Sequence, residues 1–169
     1  MTMPESPRRK NIRLNDYDYS SNGAYFLTIC VKDRHELLGE INVGTNCVRP
    51  RLSEHGVVVE KEIAMLNSTY KDVKVDKYII MPNHIHMIIF IMAENGRTQG
   101  SGRTQFVPTV SRIIKQFKGS VTKQIGFSMW QPRFYDHIIR DKDDYSRICQ
   151  YIEENPAKWT DDQLYCALN

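Results

Sequence analysis

The chain has 169 residues, with 23 Lys and Arg against 20 Asp and Glu, a net charge of +3. That length suits one compact domain, and 41% hydrophobic with 25% charged residues is ordinary globular composition. No apolar run approaches the ~18 residues needed to span a bilayer.

Residues 1–22 read as a basic N-terminal segment, with Arg8, Arg9, Lys10 and Arg13 against Glu5 in the first thirteen. No apolar stretch follows those charges, so no secretory signal is expected. Ala24–Val31 is a buried strand by its aromatic and β-branched content. Leu37–Ile41 and Cys47–Leu52 flank Gly44-Thr45-Asn46 as a hairpin. Ser53 is placed to cap a helix reaching Asn67, with Val59, Ile63 and Leu66 along one stripe. Val73–Met81 and Ile85–Met92 are two strands joined near Pro82-Asn83. The stretch from Glu94 to Gln105 has three glycines and no apolar residue, the composition of a mobile loop. Thr109 then caps a helix carrying Val110, Ile113, Ile114, Phe117 and Val121 at helical spacing. Phe134–Ile139 is a short strand, and a last helix runs from Asp143 until Pro156 stops it. The four cysteines (Cys30, Cys47, Cys149, Cys166) are far apart, which suits a reducing cytoplasm rather than a disulfide framework.

From the first long strand to Ile139 the order is β-α-β-β-α-β with an inserted hairpin. That predicts an α+β, ferredoxin-like antiparallel sheet, with helices on one face and the other face open to a ligand.

Charge is unevenly spread. Between residues 97 and 123 the chain carries Arg97, Arg103, Arg112, Lys115, Lys118 and Lys123 without one acid. Such a segment can contact phosphates or simply form a solvated helix face. Residues 141–162 hold seven acids against Lys142, Arg147 and Lys158.

Two features can carry chemistry. In Met81-Pro82-Asn83-His84-Ile85-His86 the histidines are at i and i+2, so on a strand they share a face. Two such imidazoles can ligate one divalent metal if a third ligand comes from elsewhere, or can be hydrogen-bonded at a strand edge. On the last helix Tyr151 and Asn155 are at i and i+4 and share one side with Ile148 and Ile152. Asn155 could offer an amide oxygen as a neutral third ligand and Tyr151 a nucleophile one turn away, or Tyr151 could be an inward core residue. Tyr145 is about 15 Å along the axis from Asn155, too far to share its site. Trp130, Phe134 and Tyr135 could stack on a base or belong to the core.

Taken together MPNHIHMIIF, WQPRFYDHIIRD and DYSRICQYIEENPAKW, with RRKNIRLNDYDYS and GAYFLTICVKDR before them, resemble the REP-associated tyrosine transposases. These are IS200-like relatives of the single-tyrosine HUH transposases. The resemblance implies His84 and His86 as metal ligands, Asn155 as the third, Tyr151 as the nucleophile, and His137 near the site. It implies one HUH catalytic domain over 23–160, a short tail over 161–169, and Mg²⁺ or Mn²⁺ as cofactor. The implied reaction is nicking and joining of single-stranded or hairpin DNA through a 5′-phosphotyrosine. A hairpin-binding protein that no longer cuts, or a nuclease using water, are the alternatives. Arg8, Arg9, Lys10, Arg97, Arg103, Lys115, Lys118 and Lys123 are the expected DNA contacts. A monomer or homodimer acting on nucleoid DNA in a bacterial cytoplasm completes the expectation.

Overall fold

A computed structural model of the chain describes residues 23–41, 49–92, 108–162 and 164. The basic N-terminal segment, the 94–105 loop and the whole 44–46 turn therefore lie outside the described residues, as do Arg8, Arg9, Lys10, Arg97 and Arg103.

Strand β1 (Gly23–Cys30) carries AYFLTIC, whose β-branched and aromatic side chains are buried on both sides of the sheet. β2 (Gly39–Glu40) and β3 (Arg51–Leu52) pair as a short separate ribbon, all that is described of the expected hairpin. Helix α1 (Glu54–Thr69) follows. Its cap is Ser53, whose Oγ accepts from Gly56 N at 3.1 Å and donates to Leu37 O at 2.6 Å. Gly56 lies so close to the chain before β2 that a Cβ there would meet Leu38 O at 2.0 Å. β4 (Val73–Ile80) and β5 (His84–Ile91) are joined by Met81-Pro82-Asn83. That tip is tied down by bonds from Leu38 N to Pro82 O and from Val31 N to Asn83 O, both 2.9 Å. Helix α2 (Val110–Ile125) is capped by Thr109 and ends at Gly126, whose φ of 85° is the left-handed C-cap geometry glycine allows. β6 (Tyr135–Ile139), α3 (Lys142–Glu154) and a 3-10 turn (Asn155–Asp161) complete the described order.

The main sheet is antiparallel in the order β4-β5-β1-β6, the ferredoxin-like arrangement expected. Tyr25, Leu27 and Ile29 of β1, with Ile85, Met87 and Ile89 of β5, point toward α1 and α2 and form the larger core. The opposite face is not left open. Phe26 and Ile88 meet Ile152 of α3, with Ile79, Phe90, Ile139 and Ile148 packed around them. The amphipathic stripe of α3 needs a partner, and the second face of the sheet provides it.

A β-bulge at Asp76 decides which side chains of β4 reach that face. Val75 pairs with Ile89 and Lys77 with Ile88, so Asp76 is an extra residue in the ladder. Before it Val73 and Val75 face the large core. After it the parity is inverted, so that Ile80 faces the large core and Ile79 faces α3.

Candidate active site

On the α3 face the pairing of strands sets out the site before any side chain is considered. Cys30 lies opposite His84, and Thr28 lies opposite His86 on one side and Tyr135 on the other. His84 and His86 project from the start of β5, where β4–β5 turns, and both are buried. The i, i+2 expectation therefore holds, and the rings converge. Their Nε2 atoms are 3.0 Å apart.

The hydrogen bonds around the pair define what those nitrogens can do. Asn83 Nδ2 donates to the carbonyls of Arg34 (3.2 Å) and Leu164 (2.9 Å), which fixes the amide with its oxygen toward His84. Asn83 Oδ1 is 2.8 Å from His84 Nδ1, so that nitrogen carries the proton and Nε2 keeps its lone pair. Thr28 Oγ1 lies 2.9 Å from His86 Nδ1 and can accept in the same way. With both Nδ1 atoms protonated, two lone pairs face each other, an arrangement suited to a shared cation. Two nitrogens each about 2.1 Å from one ion stand about 3 Å apart across a right angle. Burial, reinforced by Arg34, holds His84 down at about 3. Burial and the neighbouring His84 keep His86 well below its ordinary value, against the opposing pull of Asp162. Both rings are thus neutral and available as ligands at physiological pH.

A third candidate ligand atom comes from a place the sequence did not suggest. Ligand atoms of His84, His86 and Asp162 all lie within 4.8 Å of one another. Asp162 follows the 3-10 turn that extends α3, and that turn carries the chain back over the histidines, with Trp159 5.9 Å from the His84 ring. Asn155, the expected third ligand, stands beside this carboxylate and donates its Nδ2 to Asp162 Oδ2 at 2.7 Å. Its Oδ1 is buried without a hydrogen-bond partner among the described residues. Two neutral imidazoles, a carboxylate and an orphaned amide oxygen form a mixed N/O donor set that fits a divalent cation.

Tyr151 stands one helical turn before Asn155. Its hydroxyl is 3.2 Å from His86 Nε2, and its ring packs edge-on against Phe26 and His86. The side chain is 44% exposed, so it is neither a sealed core residue nor a free surface one. Burial and the Asp162 charge push its hydroxyl up to about 12, while the Asn155 amide pulls the other way. These groups border a cavity of about 800 Å³, lined on its far side by Arg133, Phe134 and Tyr135.

The other sequence candidates are dispersed. Lys115 and Lys123 are exposed on α2, a helix packed on the opposite face of the sheet from the histidines. Lys118 is half-buried, and its amine is committed to the carbonyls of Gln131 and Arg133. Trp130 is buried in the larger core, whereas Tyr135 reaches the cavity and is 43% exposed. Tyr145 donates to Asp76 Oδ2 at 2.6 Å, away from the pair as its spacing required. His137 shares the site face through its pairing with Phe26, and its Nε2 is 2.8 Å from Asp144 Oδ2. Three residues that the structure places at this site were not among the candidates read from the sequence. Asn83 immediately precedes the His84-Ile85-His86 motif, and adjacency is the one signal it gave. Arg133 lies in the WQPRFYDH stretch, and Asp162 had no spacing signal at all.

This sheet, with a buried histidine pair at the start of one central strand and a tyrosine over it from a later helix, defines a class of protein. A family model described as IS200-like transposase matches residues 19–155, and the chain belongs to that family. It is 36% identical over 174 residues to an uncharacterized protein of Haemophilus influenzae, with 93% of each chain covered. It is 26% identical over 141 residues to the REP-associated tyrosine transposase of Escherichia coli, covering 83% of this chain and 70% of that one. A solved structure of a REP-associated tyrosine transposase bound to a REP hairpin shares the fold, with TM-score 0.56 and 24% identity. That match covers 81% of this chain and 68% of the other. No helix among the described residues is long and apolar enough to cross a membrane.

Proposed function

We propose that the protein nicks and rejoins single-stranded DNA at hairpins, with Tyr151 as the nucleophile. The observation that carries this reading is the Tyr151 hydroxyl 3.2 Å from His86 Nε2, beside two converging imidazole lone pairs. His84, His86 and Asp162 would hold a divalent cation, Mg²⁺ or Mn²⁺, with Asn155 orienting the carboxylate and offering its own unpartnered oxygen. When bound, the cation would draw electron density from a phosphate oxygen and orient the scissile bond.

The residues of the chain do the rest. Asn83 and Thr28 set the tautomers of the pair. Phe26 stacks on His86 with ring centres 5.3 Å apart and meets Tyr151 edge-on, fixing both rings. Tyr151 is partly open to the cavity, so a phosphate can approach its oxygen. Its Oη–P bond forms as the P–O3′ bond breaks; the phenolic proton is lost to water and the leaving O3′ takes one from water, becoming a 3′-OH. The phosphotyrosine preserves the phosphodiester linkage, so attack by another 3′-OH regenerates Tyr151 and joins new ends. A hydroxyl held near 12 is a weak nucleophile at neutral pH, which accounts for placing it against a site that gathers positive charge. Hairpin DNA as the substrate is supported by the REP-associated relatives and by the cavity flanked by Arg133 and Tyr135.

The test is incubation with Mn²⁺ and labelled hairpin oligonucleotides bearing single-stranded flanks, read on a denaturing gel. A protein–DNA adduct that survives SDS and is lost in Tyr151→Phe, while hairpin binding is retained, is the expected result. Cleavage without adduct, equally strong in Tyr151→Phe, would mean water is the nucleophile. Binding with no cleavage across a wide hairpin panel would leave a binding protein.

A further inference from the structure

Lys118 departs α2 on the face of the sheet opposite the histidines, yet its ammonium ends beside the wall of the cavity. Nζ donates to Gln131 O at 2.8 Å and to Arg133 O at 3.0 Å, and lies 5.8 Å from the centre of the Phe134 ring. The three residues Gln131-Pro132-Arg133 thus wrap one cation. This segment precedes β6 and lies outside its ladder, and Pro132 has no N–H to give. On its near side Gln131 N donates to Cys30 O of β1 (2.9 Å), and the two residues before it join the chain just past β1 through Lys32 N to Met129 O (2.7 Å) and the Val31–Trp130 bridge. On its far side the bonds to Gln131 O and Arg133 O come from Lys118. Immediately beyond that clamp are Arg133 and Tyr135, both exposed and both lining the cavity that holds Tyr151. The Arg133 guanidinium makes no hydrogen bond or ion pair among the described residues, and is free to meet a phosphate.

We propose that Lys118 is a positioning residue for the DNA substrate: by clamping the carbonyls of Gln131 and Arg133 it holds Arg133 and Tyr135 against the cavity, where Arg133 contacts a phosphate and Tyr135 stacks on the adjoining base. The inference rests on the DNA-nicking reading above for its substrate. It reverses the role expected from composition, since the amine is spent on backbone and Arg133 presents the charge. A half-buried ammonium gives up part of its water, and two carbonyls with an aromatic face replace it. That geometry agrees with burial drawing Lys118 down to about 8.

The experiment is a double-mutant cycle of Lys118→Met and Arg133→Ala on the full chain. Affinity is read by fluorescence anisotropy with a hairpin oligonucleotide carrying a single-stranded flank, and amide hydrogen exchange is read over residues 129–135. Arg133→Ala should weaken binding about tenfold and Lys118→Met at least as much, and the double variant should be little worse than Lys118→Met alone, because Lys118 acts through Arg133 and Tyr135. Exchange over 129–135 should rise in Lys118→Met and stay unchanged in Arg133→Ala. Adduct formation at saturating DNA should keep its rate while half-saturation moves to higher DNA. Unchanged exchange in Lys118→Met, additive losses, or a lowered saturating rate with unchanged half-saturation would overturn the proposal. If Lys118→Met does not fold, Lys118→Gln, with one N–H donor of similar reach, carries the same cycle. A wild-type protein that binds the hairpin but forms no adduct would remove Tyr151 from the chemistry, and the binding cycle and exchange would still decide the role of Lys118.

Discussion

Asn83 has a single way to satisfy its amide, and that restriction propagates to the histidines. It is 1% exposed, two carbonyls take its N–H donors, and its oxygen is left facing His84 Nδ1. Removing a group that orients a ligating imidazole costs about 10–100-fold in metal affinity. Asn83→Ala should therefore weaken Mn²⁺ binding by about that factor, measured by calorimetric titration. Asp162→Ala should weaken it at least as much, because it removes the carboxylate that the described residues bring to the pair. Asn155→Ala should have a smaller effect if its main task is to hold Asp162. Equal affinity for Asp162→Ala and wild type would exclude that carboxylate as a ligand. The histidine pair was legible because strand periodicity alone puts i and i+2 on one face. Asp162 was illegible because it reaches the pair through the path of a 3-10 turn, which leaves no fixed interval to read.

At the scale of elements, the caps were the best-marked features and the contacts between elements the worst. Ser53 and Thr109 cap the two helices at the positions their side chains predict. Gly56 in the first turn of α1 gave no such sign, yet it permits the helix to lie against Leu38 O. In an open helix Gly→Ala would gain up to about 1 kcal/mol from propensity. Here the added methyl meets a backbone oxygen, and overpacking of that kind costs about 1–3 kcal/mol. Gly56→Ala should lower the stability read by urea unfolding. Helix α3 is likewise fixed by contacts no local pattern announces. Tyr145 reaches Asp76, and Lys77 bonds Glu153, both linking α3 to β4. Tyr145→Phe keeps the ring and loses the hydrogen bond, and should cost about 1 kcal/mol in the same measurement. The sequence assigned α3 its amphipathic stripe correctly. That the stripe covers the face expected to be open follows from Ile79, Ile88 and Phe26 together, residues on three different strands.

Across the whole molecule, α3 is anchored at both edges of the sheet, to β4 through Tyr145 and Glu153 and to β6 through Asp144. The hydrogen bond from His137, with help from Arg140 N and Arg147, holds the Asp144 carboxyl below the ordinary carboxylate range. A carboxylate depressed in the folded state contributes stability above its unfolded value of about 4, and that contribution disappears as pH falls through the folded value. The wild-type thermal midpoint should therefore decline on acidification below about pH 4. Asp144→Asn should start lower at neutral pH and show a shallower acid decline, both read by circular dichroism melts. An identical acid slope in the variant would show that other carboxylates govern acid unfolding.

The bulge leaves Asp76 as one residue of β4 with no partner of its own across the ladder. Were it deleted, Lys77 would follow Val75 directly, as their partners Ile88 and Ile89 already adjoin, and every later side chain of the strand would keep its present face. What would go is the local bend and the acceptor that Asp76 offers to Tyr145 of α3. Losing this spare residue should accordingly be tolerated better than losing a paired one such as Tyr78, which would turn Ile79 toward α1 and α2.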